Sequence, residues 1–562
     1  MSVVVNKAKE EIKNIIITAT EKAMADGSLQ TAELSAFTIE VPSNRSHGDY
    51  AVNAAMVWSR LFKCAPRMIA EAIISHATFE DSYIEKAEIA GPGFINLFLS
   101  QKYYTDIILD VEQKGEDYGK SDFGKGERVL VEFVSANPTG PMHIGNARGG
   151  ALGDCLAAVM SAAGYYTERE FYINDAGNQI NKFGLSLDLR YLQLYKDGIE
   201  MPEDSYHGED IINHAKAFSE IYGDSFVEKT EEERRKALVE FALPQNIEGL
   251  QNDLLKYRIK YDTWFKESTL HNNGEAKRII ELLKESGYTY TMEDALWFKA
   301  TDFGCDKDFV LVRANGVPTY VVPDIAYHYN KLVTRKFDKA IDILGADHHG
   351  YVPRLKAALT ALGVDASRLD VVLMQMVRLV RDGEVIKASK RSGKAITLVT
   401  LLDEVPIDAA RFFFNLREPN SHFDFDLDLA VNESNSNPVY YVQYAYARIC
   451  SILRNLEAEG IVSQEADANK LALLKEPEEK ELILHIAALT DEIVASARVY
   501  DPAKITHYVQ ELATKFHKFY AACRVKGIDE ELMQARISLC KASATVIKNV
   551  LTLLKIEAPE KM

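Results

Sequence analysis

The stretch Arg128-Val-Leu-Val-Glu-Phe-Val134, continued by Ser135-Ala-Asn-Pro-Thr-Gly-Pro-Met-His-Ile-Gly-Asn146, decides how the middle of this 562-residue chain folds. Its β-branched apolar run predicts a buried strand, and the Pro/Gly-rich segment behind it a turn. An Ala- and Gly-rich helix then runs to about Gly164, and a second strand follows at about Thr167 to Ile173. Strand, helix and strand in that order imply parallel pairing, with a ligand at the carboxyl ends of the strands. A helix starting near Asn146 offers unpaired backbone N–H groups and a partial positive charge, and Gly145 lets a flat base or a phosphate approach closely. His143 is then placed to donate a hydrogen bond to phosphoryl oxygens as charge builds in a displacement at phosphorus. A His-x-Gly triplet alone is most often an incidental loop. Its position between strand and helix gives it weight.

Outward from this unit, residues 1–115 read as a small α+β domain. They hold a helical start, the turn-rich Val41-Pro-Ser-Asn-Arg-Ser-His-Gly-Asp-Tyr50, a helix from about Ala51 and the apolar strand within Gly91 to Leu99. Lys114 to Glu127 is a linker by composition. Residues 116–406 form an α/β domain, interrupted by a charged helical insertion at about 185–290. Strand signals return at Phe309 to Val312, Tyr320 to Val322 and Lys339 to Leu344. Residues 407–562 carry apolar residues at three- and four-residue spacing through Leu553, which predicts a bundle of helices.

Apolar residues make up 47% and charged residues 26%, which provides for several cores and argues against disorder. No apolar run approaches the roughly 18 to 20 residues of a membrane helix, and the start reads as a charged amphipathic helix, so a cytoplasmic protein is expected. Six dispersed cysteines without a CxxC pair predict reduced thiols and no protein-bound zinc. The net charge of -18 excludes indiscriminate nucleic-acid binding. The charge is uneven, however: residues 440–562 hold 16 Lys/Arg against 17 Asp/Glu, and 503–527 hold five cations against Glu511 alone. There His507, Tyr508, Phe516, His517, Phe519 and Tyr520 are candidates for stacking unpaired bases while the cations meet phosphates.

Pro138 to Asn146 resembles the His-Ile-Gly-His signature of class I aminoacyl-tRNA synthetases, with Asn146 in place of the second His. Far downstream, Lys387-Ala-Ser-Lys-Arg-Ser-Gly-Lys394 is similar to the family's mobile Lys-Met-Ser-Lys-Ser loop, with Ala388 and Arg391 as departures. A flexible cationic loop suits the β- and γ-phosphates as pyrophosphate leaves. Between the two motifs the residues that would line the amino-acid pocket are acidic. Two carboxylates, Glu132 and Asp324, with the phenol of Tyr320, suit a guanidinium, whose planar donors pair bidentately with carboxylate.

The wider match agrees. Phe171-Tyr-Ile-Asn-Asp-Ala-Gly-Asn-Gln179, Gly345-Ala-Asp-His-His-Gly-Tyr351, Ser46-His-Gly-Asp-Tyr-Ala-Val-Asn53 and Ile556-Glu-Ala-Pro-Glu-Lys-Met562 resemble the arginyl-tRNA synthetase family. The resemblance implies a multidomain α/β protein: a Rossmann-like parallel-sheet catalytic domain between an N-terminal α+β domain and a C-terminal all-α helix bundle. It implies L-arginine and ATP as substrates, Mg2+ on the phosphates, and tRNA(Arg) bound before activation by a monomeric enzyme. His143, Asn146, Lys387 and Lys390 would be catalytic. Pro138, Gly140, Gly145, Asp347, His348 and Ser389 would join them around ATP. Glu132, Ser135, Asn137, Tyr320 and Asp324 would hold arginine, with Asn137 on the α-amino group. For tRNA, Arg45 and His47 would serve in the first domain and Tyr444, Arg448, Lys515 and Lys518 in the bundle, which Asp408-Ala-Ala-Arg411 and Asn437 to Arg448 also resemble. The rival readings are another class I synthetase, a catalytically idle RNA-binding paralogue, and a small-molecule adenylyltransferase. The last leaves the carboxyl-terminal bundle unexplained.

Overall fold

A computed structural model describes residues 3–42, 44, 47–387 and 396–562. At its centre lie five parallel strands, β1 (Arg128–Glu132), β2 (Tyr166–Ile173), β3 (Thr263–Lys266), β4 (Lys339–Gly345) and β5 (Leu369–Met374). Across the sheet they stand in the order β3-β2-β1-β4-β5. The chain therefore builds outward from β1 on one side and then returns to build on the other. The crevice where the direction reverses, between the carboxyl ends of β1 and β4, is where open parallel sheets bind ligands.

Val129, Leu130 and Val131 of β1 are fully buried, as a strand covered on both faces demands. The helix after it, α1 (Ile144–Ala162), lies close on the sheet because its glycines permit it. A Cβ on Gly153 would stand 2.2 Å from Phe133 Cγ, and one on Gly150 2.8 Å from Ile259 Cδ1. The small-residue composition of α1 is thus a packing requirement.

Three local expectations are corrected. Tyr320–Val322 is not a strand: Val321–Tyr329 is a helix, α2, with Val321 and Val322 turned into the core. Pro323 in its first turn is harmless to a helix but would remove a ladder hydrogen bond from a strand. Phe309–Val312 is a strand, but it pairs antiparallel with Ala295–Phe298 in a separate three-stranded sheet with Thr289–Met292. The region expected to be helical around 185–290 does hold the helices Glu209–Tyr222 and Glu231–Lys256, yet it also supplies β3.

Before the central sheet, a four-stranded antiparallel sheet is joined to the helices Val3–Ala25, Ala54–Phe62, Pro66–His76 and Gln101–Lys114, as an α+β unit. The helix placed near Ala51 begins at Ala54 because Tyr50–Val52 pairs with Ile95–Leu97. After it, the chain is mostly helical, the longest helices being Pro438–Ala458, Ala503–Ala522 and Glu530–Leu553. One strand there, Phe423–Asp426, pairs with Val377–Arg381, whose hairpin partner Glu384–Ile386 leads into Lys387. Among the described residues no helix is long and apolar enough to cross a membrane.

Candidate active site at the switch point of the sheet

β1 ends in a strained turn. Val134 and Ser135 have φ of 70° and 39°, and the Ser135 N–H donates to the Phe133 carbonyl at 3.0 Å, closing a tight three-residue turn. A β-branched residue with positive φ costs about 1–3 kcal/mol and persists only where its surroundings enforce it. Here the turn aims Ser135 Oγ at Glu132 Oε1, to which it donates at 2.8 Å, while it accepts the Tyr172 N–H at 3.1 Å. Glu132, only 7% exposed, receives on its other oxygen the ammonium of Lys331 at 2.5 Å.

Lys331 is completely buried and also donates to Asp342 Oδ1 at 2.8 Å. Burial opposes its charge, but Asp342, Glu132 and Glu170 outweigh burial and hold the ammonium above the usual lysine range. Asp342 on β4 is raised by burial and lowered more by Lys331 and His328, ending well below the usual carboxylate range. The His328 ring spans the gap to α2, with Nε2 2.5 Å from Asp342 Oδ2 and Nδ1 2.7 Å from the Asp324 carbonyl. Glu132, His328 and Asp342 have the donor set of a metal site. The Lys331 ammonium fills that place, so the cluster does not fit a metal ion.

Asp324 and Tyr320 share one face of α2 at its amino end. Asp324 Oδ2 accepts the Tyr351 hydroxyl at 2.5 Å, and the Tyr351 and Tyr320 rings lie 6.2 Å apart. Tyr320 is 71% exposed, at the mouth. Burial pushes the Asp324 carboxyl up to about 6; the Tyr351 hydroxyl and His328 oppose this, while Glu132 and Glu267 push further. Glu267, at the end of β3, accepts the Tyr172 hydroxyl at 3.0 Å. It is a third pocket carboxylate that the sequence reading missed, because β3 was hidden in a helical stretch. A cation among these carboxylates would relieve their mutual repulsion.

The residues expected around the phosphates begin at the amino end of α1. His143 caps α1, exposed, and its backbone N–H donates to Asn146 Oδ1 at 2.9 Å. Asn146 thereby fixes the first turn of the helix. A Cβ on Gly145 would meet nothing within 4 Å, which leaves the helix terminus open. Pro138 is buried, and its carbonyl accepts from Asn246 of the helical insertion at 3.0 Å. Gly140 is half-buried, and Asn137 is exposed at the edge. Asp347 and His348, exposed after β4, are 4.0 Å apart. Lys387 is exposed, and Ser389 and Lys390 lie outside the described residues. The chain re-emerges against the first motif: Thr397 bridges to His143, and the Leu398 N–H donates to the Met142 carbonyl at 2.9 Å. The segment that follows the second motif therefore lies against the first.

In the bundle, Arg448 lies over the Tyr520 ring at 4.7 Å and near Tyr444 at 5.9 Å, and His517 packs against Tyr441 and Tyr444. Lys515 is paired with Glu481 and Glu511, and Lys518 is exposed. Tyr508, Phe516 and Phe519 are core residues, which removes them as base-stacking candidates. Amphipathic helix spacing had placed them beside the cations without showing which face was outward. His47 is exposed, and Arg45 lies outside the described residues.

Family models match the chain in three consecutive parts: an arginyl-tRNA synthetase N-terminal domain at residues 8–99, a class I (R) tRNA synthetase catalytic domain at 109–434 and a DALR anticodon-binding domain at 442–562. An arginine–tRNA ligase of Caldanaerobacter subterraneus is 54% identical over the full length of both chains. The chain belongs to the arginyl-tRNA synthetase family. A second arginine–tRNA ligase, from Acetivibrio thermocellus, is 52% identical, again over both full lengths. The Thermus thermophilus arginyl-tRNA synthetase structure shares the fold, with a TM-score of 0.73 at 21% identity over 97% of this chain and 99% of that one. The arginyl-tRNA synthetase architecture accounts for the order of the units: an α+β start, a class I sheet and a helical end.

Proposed function

We propose that this chain activates L-arginine with ATP and transfers it to the 3′ end of tRNA(Arg), with the chemistry at the β1–β4 crevice. The observation that carries the reading is the acidic pocket around Asp324, set directly beside the open amino terminus of α1. Asp324 and Glu132 would take the guanidinium with Tyr320 closing the mouth, and Asn137 would meet the α-amino group. Glu267 adds negative potential. Ser135 spends its hydroxyl within the protein, so its part is to hold Glu132.

The arginine carboxylate attacks the α-phosphorus of ATP, a P–O bond to pyrophosphate breaks, and arginyl-adenylate forms. The tRNA terminal ribose then attacks the activated carbonyl and AMP leaves. No covalent nucleophile of the protein is needed. His143, the α1 terminus, Lys387 and Lys390 stabilise the charge that moves onto the phosphates. Asn146 holds the α1 turn that presents them, and Pro138, Gly140, Gly145, Asp347, His348 and Ser389 would line the nucleotide site. Magnesium enters with the triphosphate as part of the substrate. Tyr444, Arg448 and Lys518 are the bundle surface offered to the tRNA, with Lys515 behind them and Arg45 and His47 on the first domain; the enzyme would act as a cytoplasmic monomer.

An unpaired buried carboxylate costs about 3–5 kcal/mol, and each 1.4 kcal/mol is about tenfold, so citrulline should be refused roughly a hundredfold or more. Pyrophosphate exchange into ATP across the amino acids, with and without tRNA, tests the reading. Arginine-dependent exchange is expected. Exchange driven by glutamine, cysteine or leucine but not by arginine would overturn it.

A further inference from the structure

The most deeply buried cation beside the pocket is Lys331. It follows α2 in a single turn, Asn330–Thr334, wound more widely than an α-helix, a deviation frequent at functional sites. Its ammonium stands 2.5 Å from Glu132 Oε2, 2.8 Å from Asp342 Oδ1 and 4.1 Å from the centre of the Tyr327 ring.

The groups around it are fully specified. From β1 comes Glu132, with Ser135 behind it; from β4, Asp342 bonded to His328; from β2, Glu170, bonded to the Tyr327 hydroxyl at 2.7 Å and to Arg335 at 2.9 Å. Tyr172 and Tyr261 also face Glu132, and Asp324 and Glu267 lie beyond on the pocket side. Among these groups Lys331 is the one cation that touches Glu132. Both oxygens of Glu132 already have a protein partner, yet each keeps a lone pair, since an ionised carboxylate offers about four acceptor sites.

We propose that Lys331 is a positioning residue of the arginine pocket: it fixes the orientation of Glu132, so that the free lone pairs meet the substrate guanidinium. This rests on the guanidinium reading of the Glu132–Asp324 pocket. The lysine is not a competitor for the substrate. It holds one side of Glu132 while the substrate takes the other, much as the hydrogen-bond partner behind a metal ligand orients that ligand. Removing the ammonium would leave Glu132 Oε2 without its partner and the carboxylate free to turn away from the pocket.

The test is the Michaelis constant for arginine in Lys331→Gln, measured by pyrophosphate exchange at pH 8 beside kcat and the ATP constant, each divided by the wild-type value. A ratio of about tenfold or more for arginine, with kcat and the ATP constant within twofold of wild type, is the expected result. A ratio of one for arginine, or an equal loss for arginine and ATP, would overturn the proposal. Should Lys331→Gln not fold, the wild-type enzyme with 15N-labelled lysine gives the readout. The slowly exchanging Nζ signal, assigned by its loss in Lys331→Arg, should shift on saturation with L-arginine and stay in place with L-citrulline; no shift with arginine counts against it. The pocket reading fails separately, if Asp324→Asn leaves the arginine constant unchanged.

Discussion

The Tyr351 hydroxyl and Asp324 Oδ2 are 2.5 Å apart, and this bond stabilises an anion that burial opposes. Without it the Asp324 carboxyl would rise further above about 6, and a larger share would be protonated at pH 7. A hydrogen bond to a charged group contributes about 1.5–3 kcal/mol. Tyr351→Phe should therefore raise the arginine Michaelis constant about tenfold at pH 7 and less at pH 8.5, while the ATP constant holds. A pH series of exchange rates checks it.

Asp324 itself trades stability for binding. Its folded value, about 6, lies above the ordinary 3.8, so the folded protein binds more protons than the unfolded chain between those two values. Stability then falls as pH rises through that window, and the full cost is present above it. Asp324→Asn should be more stable than wild type at pH 7–8, by about 1–2 kcal/mol, with the gain vanishing below about pH 4. The same variant should lose arginine activation by roughly a hundredfold or more. Thermal unfolding across pH, run beside the exchange assay, reads both halves.

Lys390 should act on phosphate and not on arginine. Lys390→Ala is expected to slow adenylate formation by about 10–100-fold, on the scale of one removed charge-stabilising donor, with the arginine dissociation constant unchanged. Single-turnover kinetics with calorimetry separate the two. An unaltered rate would take the second motif out of the chemistry.

What the sequence made legible follows from which interactions are local. β1 and the small-residue helix declare themselves over short windows, since a continuous apolar run and turn residues are local signals. The pocket did not. Asp324 looked like a strand-end residue because Tyr-Val-Val reads as β, and only the packing of Val321 and Val322 makes it helical. Glu267 was hidden because β3 is four residues long and follows a 26-residue helix. Lys331 gave no signal at all, since its partners Glu132 and Asp342 meet it only through the sheet register that sets Asp342 beside Glu132.

In the bundle, His517 is half-buried, and among the described residues neither ring nitrogen has a hydrogen-bond partner. Burial, then the charge of Arg448, lowers it to about 4, so it is neutral at pH 7. An unsatisfied buried polar group costs about 1–3 kcal/mol, which His517→Phe should return as higher stability. The price should appear with RNA: a several-fold higher tRNA Michaelis constant in charging, with the arginine and ATP constants unmoved. A stabilised variant with unchanged tRNA kinetics would assign His517 to packing alone.

Arg411 ties three units together. Fully buried, it donates to the Leu554 carbonyl at 2.8 Å, the Tyr257 carbonyl at 3.0 Å and Asp154 Oδ2 at 2.6 Å on α1. Burial opposes its charge and Asp154 restores it, with the net above the ordinary arginine range. Arg411→Leu would leave Asp154 with Arg169 alone, at 2.8 Å, and orphan two carbonyls at the ends of the long insertion helix and the last helix. Breaking a buried pair on one side costs about 3–5 kcal/mol. Much of that is the abandoned charge of Asp154, so Arg411→Leu with Asp154→Leu should recover part of the loss. Denaturant unfolding of the two variants, followed by α1 and bundle probes, should show the single variant separating into two transitions and the double variant drawing them back together.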